Sequence, residues 1–93
     1  MKLVVFSGTS EGHALCRFLS ARGARADVYV ATEYGAAVME PMDGVTVHEG
    51  RLDTAEIAAR LDADTLLVDA THPYAAAVTD NLRAACARTG AQY

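Results

Sequence analysis

The chain lacks most of the features that announce a binding chemistry at once. Its eight basic and twelve acidic residues are interspersed, for a formal net charge of −4, and no basic run occurs. Phosphate backbones are held by concentrated basic surfaces, so nucleic acid is not expected as a partner. No apolar stretch approaches the roughly 20 residues that cross a bilayer. The opening Met1-Lys2-Leu3-Val4-Val5-Phe6 runs straight into Ser7-Gly8-Thr9 and is too short for a signal peptide. No membrane partner and a cytoplasmic location are therefore expected. Cys16 and Cys86 stand far apart, each in an alanine- and leucine-rich pattern, and neither has a Cys or His at metal-ligand spacing. Two reduced core thiols are the expectation. His13, His48 and His72 are scattered, without a Ser–His–acid spacing or a metal cluster, so no metal site is expected.

At 93 residues there is room for one small domain. Apolar residues make up 52% of the chain, enough for a packed core. Much of that share is alanine, and a small domain buries a modest fraction of its surface, so marginal stability is expected.

The order of patterns is strand, glycine-bearing turn, helix, repeated. Leu3-Val4-Val5-Phe6 is a short continuous apolar run, as in a parallel strand buried on both faces. A helix over about 11–22 follows, with Leu15, Phe18 and Leu19 on one face and Gly23 as its C-terminal stop. Asp27–Val30 reads as a second strand, Thr32–Gly35 as its exit, and Ala36–Met39 as a short helical turn. Val45–His48 is a third strand. Asp53 with Glu56 resembles a capping box opening a helix over 54–61, with Ile57, Ala58 and Leu61 inward. Thr65–Asp69 is a fourth strand, and a helix over about 74–88 follows, with Pro73 in its first turn and Val78, Leu82, Ala85 and Cys86 inward. Gly90 ends it, and Ala91-Gln92-Tyr93 reads as the opening of a fifth strand.

This alternation predicts an α/β fold, a Rossmann-like doubly wound parallel sheet in the order 3-2-1-4, with a fifth strand beginning beside the fourth. Ligands of such sheets bind beyond the carboxyl ends of the strands, where strand order reverses. Four segments should meet on that edge. The turn Ser7-Gly8-Thr9-Ser10-Glu11-Gly12 brings backbone N–H groups to a helix N-terminus, which favours a phosphate. Its spacing is not the dinucleotide fingerprint Gly-x-Gly-x-x-Gly. A plain turn capped by Thr9 or Ser10 is the other reading, and Glu11 competes with an anion for the same N–H groups. Glu33 stands near the place where an acidic residue takes the adenosine ribose hydroxyls; a solvated loop glutamate is the alternative. Arg51, after Gly50, suits a two-pronged grip on a phosphate or carboxylate, or a surface pair with Asp53. Asp69-Ala70-Thr71-His72-Pro73-Tyr74 gathers an acid, a hydroxyl, an imidazole and a phenol. His72 could donate to a ligand or pass a proton; alternatively Thr71 or His72 caps the helix while Asp69 holds loop N–H groups.

Taken together and in order, these segments resemble the precorrin-6A reductase family, including cobalt-precorrin-6A reductases. The family-like stretches are Gly8-Thr9-Ser10-Glu11-Gly12, Val30-Ala31-Thr32-Glu33-Tyr34-Gly35, Gly50-Arg51-Leu52 and Asp69-Ala70-Thr71-His72-Pro73-Tyr74-Ala75, followed by Val78-Thr79, Asn81 and Ala85-Cys86. Ala31-Thr32-Glu33-Tyr34-Gly35 is more similar to the cobalt-type members. The resemblance spans essentially the whole chain. It implies a cobalamin-pathway oxidoreductase that reduces a carbon–carbon double bond of precorrin-6A or cobalt-precorrin-6A with NADPH or NADH, in a cleft between two Rossmann-like domains. It implies cofactor contacts at Gly8, Thr9, Ser10, Glu11, Gly12, Thr32, Glu33, Gly50, Arg51 and Thr71. It places His72 and Tyr74 as catalytic candidates, and leaves Arg51 open to a carboxylate of the macrocycle instead.

Family members are more than twice this long. The second, C-terminal domain is therefore expected to be missing from residues 1–93, leaving the chain alone with little activity and prone to self-association. The alternative is a non-catalytic nucleotide-binding or interaction module of the same fold. An NAD-dependent epimerase fragment is disfavoured. It would carry Gly-x-Gly-x-x-Gly and a Tyr-x-x-x-Lys pair, and the only lysine is Lys2.

Overall fold

A computed structural model describes residues 1–72 and 75–93; Pro73 and Tyr74, with the expectations attached to them, lie outside the described residues, as does the side chain of Tyr34. Strands and helices alternate as β1 (Lys2–Ser7), α1 (Ser10–Ala21), β2 (Ala26–Val30), α2 (Glu33–Val38), β3 (Val45–Glu49), α3 (Thr54–Ala58), β4 (Thr65–Ala70) and α4 (Ala76–Thr89). The strands are parallel in the order β3-β2-β1-β4, as expected. Beyond β4, Gln92 pairs in parallel with Leu66, its N–H donating to the Thr65 carbonyl at 2.9 Å and its carbonyl accepting from Leu67 at 2.8 Å. The chain thus begins a fifth strand where one was expected.

The continuous apolar run of β1 has a simple cause. Val4 and Val5 point to opposite faces, and both are fully buried. On one face Val4 and Phe6 pack with Leu67 against Ile57 and Leu61 from the α3 region and Leu82, Ala85 and Cys86 of α4. On the other, Val5, Val28 and Val30 pack with Cys16 of α1 and Met39 at the end of α2. Each such valine or leucine contributes about 1.5–3 kcal/mol of burial. The helices that connect β1 to β2 and β2 to β3 share one face, and those that follow β3 and β4 share the other, which is the doubly wound arrangement. Both thiols are buried, and burial pushes each above the ordinary thiol range.

Three helix expectations need correction. Phe18 is half exposed, with the Arg22 guanidinium 3.8 Å from its ring centre, so the inward stripe of α1 runs through Gly12, Leu15, Cys16 and Leu19 instead. The segment read as an exit plus a turn is one short helix, α2, because the Thr32 hydroxyl caps it by accepting the Gly35 N–H at 2.9 Å. α3 closes at Ala58, where the N–H groups of Arg60 and Leu61 turn back to Ile57 and Ala58, yet Leu61 still reaches the core. α4 spans Ala76–Thr89. Its end is as read: Gly90 takes the left-handed conformation (φ 78°) that glycine tolerates, and its N–H closes on the Cys86 carbonyl.

Candidate functional site

Strand order reverses between β1 and β4, since the chain moves outward from β1 to β3 and then returns to β1's other side. The two turns leaving these strands are stitched together. The Gly8 N–H donates to the Ala70 carbonyl at 3.1 Å, and the Thr9 hydroxyl donates to the same oxygen at 2.9 Å. Thr9 also caps α1 by accepting the Gly12 N–H at 3.3 Å. Gly12 is itself buried against the sheet: a Cβ there would lie 2.4 Å from Ser7 Oγ and 3.0 Å from Ala70 Cβ. Its part is therefore close helix–sheet approach, one of the roles glycine has in dinucleotide-binding turns. Glu11 is fully exposed in the first turn of α1. Its carboxyl is held below the ordinary range by its own backbone N–H, then by the Ser10 and Thr9 hydroxyls. The competition that Glu11 poses to an incoming anion is thus built into the turn.

At the end of β2, Thr32 is the cap of α2 and Glu33 an exposed residue of its first turn. At the end of β3, the Gly50 N–H donates to the Val30 carbonyl at 2.9 Å, and Arg51 is exposed. Asp53, the alternative partner for Arg51, spends its carboxylate on α3: it accepts the Glu56 N–H at 2.8 Å while Glu56 accepts the Asp53 N–H, a complete capping box.

The exit of β4 is organised by Asp69. Its carboxylate accepts from the Thr71 N–H at 3.1 Å, the Thr71 hydroxyl at 2.5 Å, the Thr79 hydroxyl of α4 at 2.7 Å and the Tyr93 hydroxyl at 2.8 Å. Burial pushes this carboxyl up, but the hydrogen bonds outweigh burial and hold it below the ordinary carboxylate range. The loop then passes over Gly8: a Cβ on that glycine would sit 3.6 Å from both Thr71 Cα and His72 N. His72 is exposed, and its carbonyl accepts the Ala75 N–H at 2.8 Å. Tyr74, the other catalytic candidate, lies outside the described residues.

Two hollows flank a ridge made by Ser7, Gly8, Val30 and Ala31. The groove toward α3 and α4 encloses about 530 Å³, with Phe6, Tyr29 and Ile57 among its apolar walls and Gly50, Arg51, Thr71, His72 and Asn81 among its polar ones. That volume suits a small organic ligand, and an apolar lining with a few converging polar groups is the usual character of such sites. The hollow toward α1 and α2, of about 520 Å³, is lined by Thr9, Ser10, His13 and Thr32 among others. The expected site residues are thus divided: Gly8 borders both hollows, Thr9, Ser10 and Thr32 one, Gly50, Arg51, Thr71 and His72 the other, and Glu11, Gly12 and Glu33 neither. A further hollow of about 590 Å³, lined by Lys2, Arg25 and Asp43 among others, lies at the amino edge of the sheet, where doubly wound folds do not place their ligands. Among the described residues, no group of three or more His, Cys, Asp or Glu could hold a metal ion, and no helix is long and apolar enough to cross a membrane.

The family described as "Precorrin-6x reductase CbiJ/CobK" matches residues 2–93. The chain belongs to this precorrin-6x reductase family. Similar relatives are the cobalt-precorrin-6A reductase of Salmonella typhimurium, 38% identical over 90 residues that cover 95% of this chain and 34% of the relative, and the cobalt-precorrin-6A reductase of Methanothermobacter thermautotrophicus, 34% identical over 97 residues that cover 100% of this chain and 32% of the relative. A third is the precorrin-6A reductase of Rhodobacter capsulatus, 35% identical over 91 residues that cover 96% of this chain and 36% of the relative. The chain spans about a third of the length of these curated relatives. No solved structure matches it significantly. Two wall residues of this precorrin-6x reductase family member, Asn81 and His13, do not stand among the expected site residues. Asn81 lies three positions after the inward Val78, so helical spacing could have brought it to the groove. It also accepts from the Thr54 hydroxyl at 3.1 Å, linking α4 to α3. His13 lies one turn into α1, beside the cap.

Proposed function

We propose that this chain is the N-terminal, Rossmann-like domain of a cytoplasmic reductase of cobalamin biosynthesis, which reduces a carbon–carbon double bond of precorrin-6A or cobalt-precorrin-6A with NADPH or NADH. A second domain, from the remainder of a longer polypeptide, completes the cleft. The observation that carries the reading is family membership over residues 2–93 combined with a groove at the point where strand order reverses.

The residues at the switch point fit a nicotinamide dinucleotide. Gly8 is exposed and has no Cβ to fend off a ligand, and the α1 N-terminus stands beside it. Glu11 is the residue that must yield if a phosphate takes the N–H groups it holds, or that accepts from a ribose hydroxyl instead. Thr9, Ser10 and Thr32 belong to the same cofactor surface, Gly12 serves it from beneath by letting α1 approach the sheet, and Glu33, exposed in the first turn of α2, is the residue assigned to the adenosine ribose. When bound, the reduced cofactor supplies hydride. Gly50 and Thr71 line the groove, Arg51 pairs with a phosphate of the cofactor or a carboxylate of the macrocycle, and His72 donates a hydrogen bond or a proton to the substrate. Tyr74, outside the described residues, is kept as the second catalytic candidate. Full-length protein supplied with either macrocycle should oxidise NADPH or NADH; no oxidation in any combination removes the assignment.

A further inference from the structure

Asp69 stands outside the residues assigned to ligand contact, yet it joins three parts of the site's scaffold. Its partners come from the loop after β4 (Thr71), from the first turns of α4 (Thr79) and from the beginning of the fifth strand (Tyr93). One carboxylate oxygen receives both donors of Thr71, and the other receives the two distant hydroxyls. The Thr71 hydroxyl proton is thereby directed away from the groove, leaving its oxygen lone pairs as that side chain's means of meeting a ligand. The next residue, His72, rests with its backbone over Gly8, and Ala70 receives both Gly8 N–H and Thr9 Oγ1. The carboxylate therefore fixes the loop relative to α4, while the neighbouring Ala70 carbonyl ties it to the α1 turn.

We infer that Asp69 is a positioning residue: it sets the height and direction of the Thr71–His72 loop over the Gly8 turn. The inference rests on the reductase reading of the site. It differs from a plain structural role because the loop it holds forms a wall of the groove. Positioning is where a displacement of about 1 Å costs on the order of a hundredfold in rate.

The amino end of the same strand supplies a control. Asp62 Oδ1 accepts the Asp64 N–H at 2.9 Å and the Thr65 hydroxyl at 2.9 Å, so it also fastens a turn to β4, far from the groove. In the full-length reductase, Asp69→Ala, Asp69→Asn and Asp62→Ala are compared with wild type for kcat, KM and melting temperature, with rates read well below every melting transition. The expected result is a loss of kcat of about a hundredfold for Asp69→Ala. Asp69→Asn should recover part of it, since its remaining carbonyl oxygen still accepts from Thr71. Asp62→Ala should lower the melting temperature with kcat unchanged. Asp69→Ala with wild-type kcat overturns the inference while leaving the reductase reading intact, and so does an equal kcat loss in Asp62→Ala. Absence of turnover in wild type overturns both.

Discussion

The two turns that meet at the switch point are built on opposite principles. The turn after β1 is held by closeness: Gly12 lets α1 approach Ser7 and Ala70 to a distance that no side chain permits, and one hydroxyl, Thr9, ties the corner. The turn after β4 is held by charge: one carboxylate, Asp69, gathers hydroxyls from three parts of the chain. A steric joint fails when volume is added, whatever the pH. A carboxylate joint fails when its charge is removed. The first therefore bears on the stability of the domain, and the second on how the groove wall is set.

The largest expected effect breaks the steric joint. Gly12→Ala adds a methyl 2.4 Å from Ser7 Oγ and 3.0 Å from Ala70 Cβ. The oxygen can rotate away, but the Ala70 methyl and the Ser7 Cβ at 3.1 Å cannot. The cost of overpacking, about 1–3 kcal/mol, outweighs the gain of up to about 1 kcal/mol from replacing a helical glycine. A thermal melt should show a loss of about 5 °C or more; an unchanged or higher melting temperature would mean that α1 lifts freely from the sheet.

Next comes the chemistry on the charged side. His72→Asn keeps polarity and removes the titratable ring. Turnover or substrate affinity of the full-length enzyme should fall about tenfold or more, roughly 1.4 kcal/mol, with the melting temperature nearly unchanged. Unchanged kinetics would return His72 to a structural role.

The charge itself should be visible in acid. The folded-state pKa of Asp69 is lowered, so its contribution is present above the unfolded value, about 3.9, and is lost as pH falls through the folded one. The gap in melting temperature between wild type and Asp69→Asn should be widest near neutral pH and shrink below about pH 4. For Gly12→Ala the gap should not follow this course. A gap that stayed constant into acid would show that Asp69 acts by shape alone.

The smallest effect concerns the anion competition at α1. Glu11→Gln removes one negative charge beside the N-terminal N–H groups, and nicotinamide dinucleotide affinity should rise by about two- to threefold at low salt, fading as salt is added. A fall in affinity would assign the carboxylate to a ribose hydroxyl.

Much of this molecule is legible in its sequence, for reasons that differ by element. The continuous apolar run of β1 marks a strand covered on both sides, and with right-handed crossovers that suffices for the order β3-β2-β1-β4. The four edge segments follow from that order. Local spacing could not supply the face of Phe18, where a stripe shifted by one position serves equally well until the sheet is in place. Nor could it give the start of α2 at Glu33, ahead of the helical turn read at Ala36–Met39, because that first turn runs through Gly35 and depends on the Thr32 cap. The reach of Asp69 to Tyr93 is the clearest limit, since the two meet only because Gln92 pairs beside β4. Likewise the stack of Phe6, Tyr29 and His48, with ring centres 5.0 and 4.7 Å apart, exists only through the registers that align β1, β2 and β3.

Whether the carboxyl edge at the switch point takes the cofactor can be read by titrating the ¹⁵N-labelled protein with NADPH and with NADH. The amide resonances of Gly8, Ser10, Thr32 and Thr71 should move in a saturable way with at least one of them, while those of Lys2, Arg25 and Asp43, around the hollow at the amino edge, should stay in place. Saturable shifts confined to the amino edge, or no shifts with either dinucleotide, would contradict binding at the carboxyl edge.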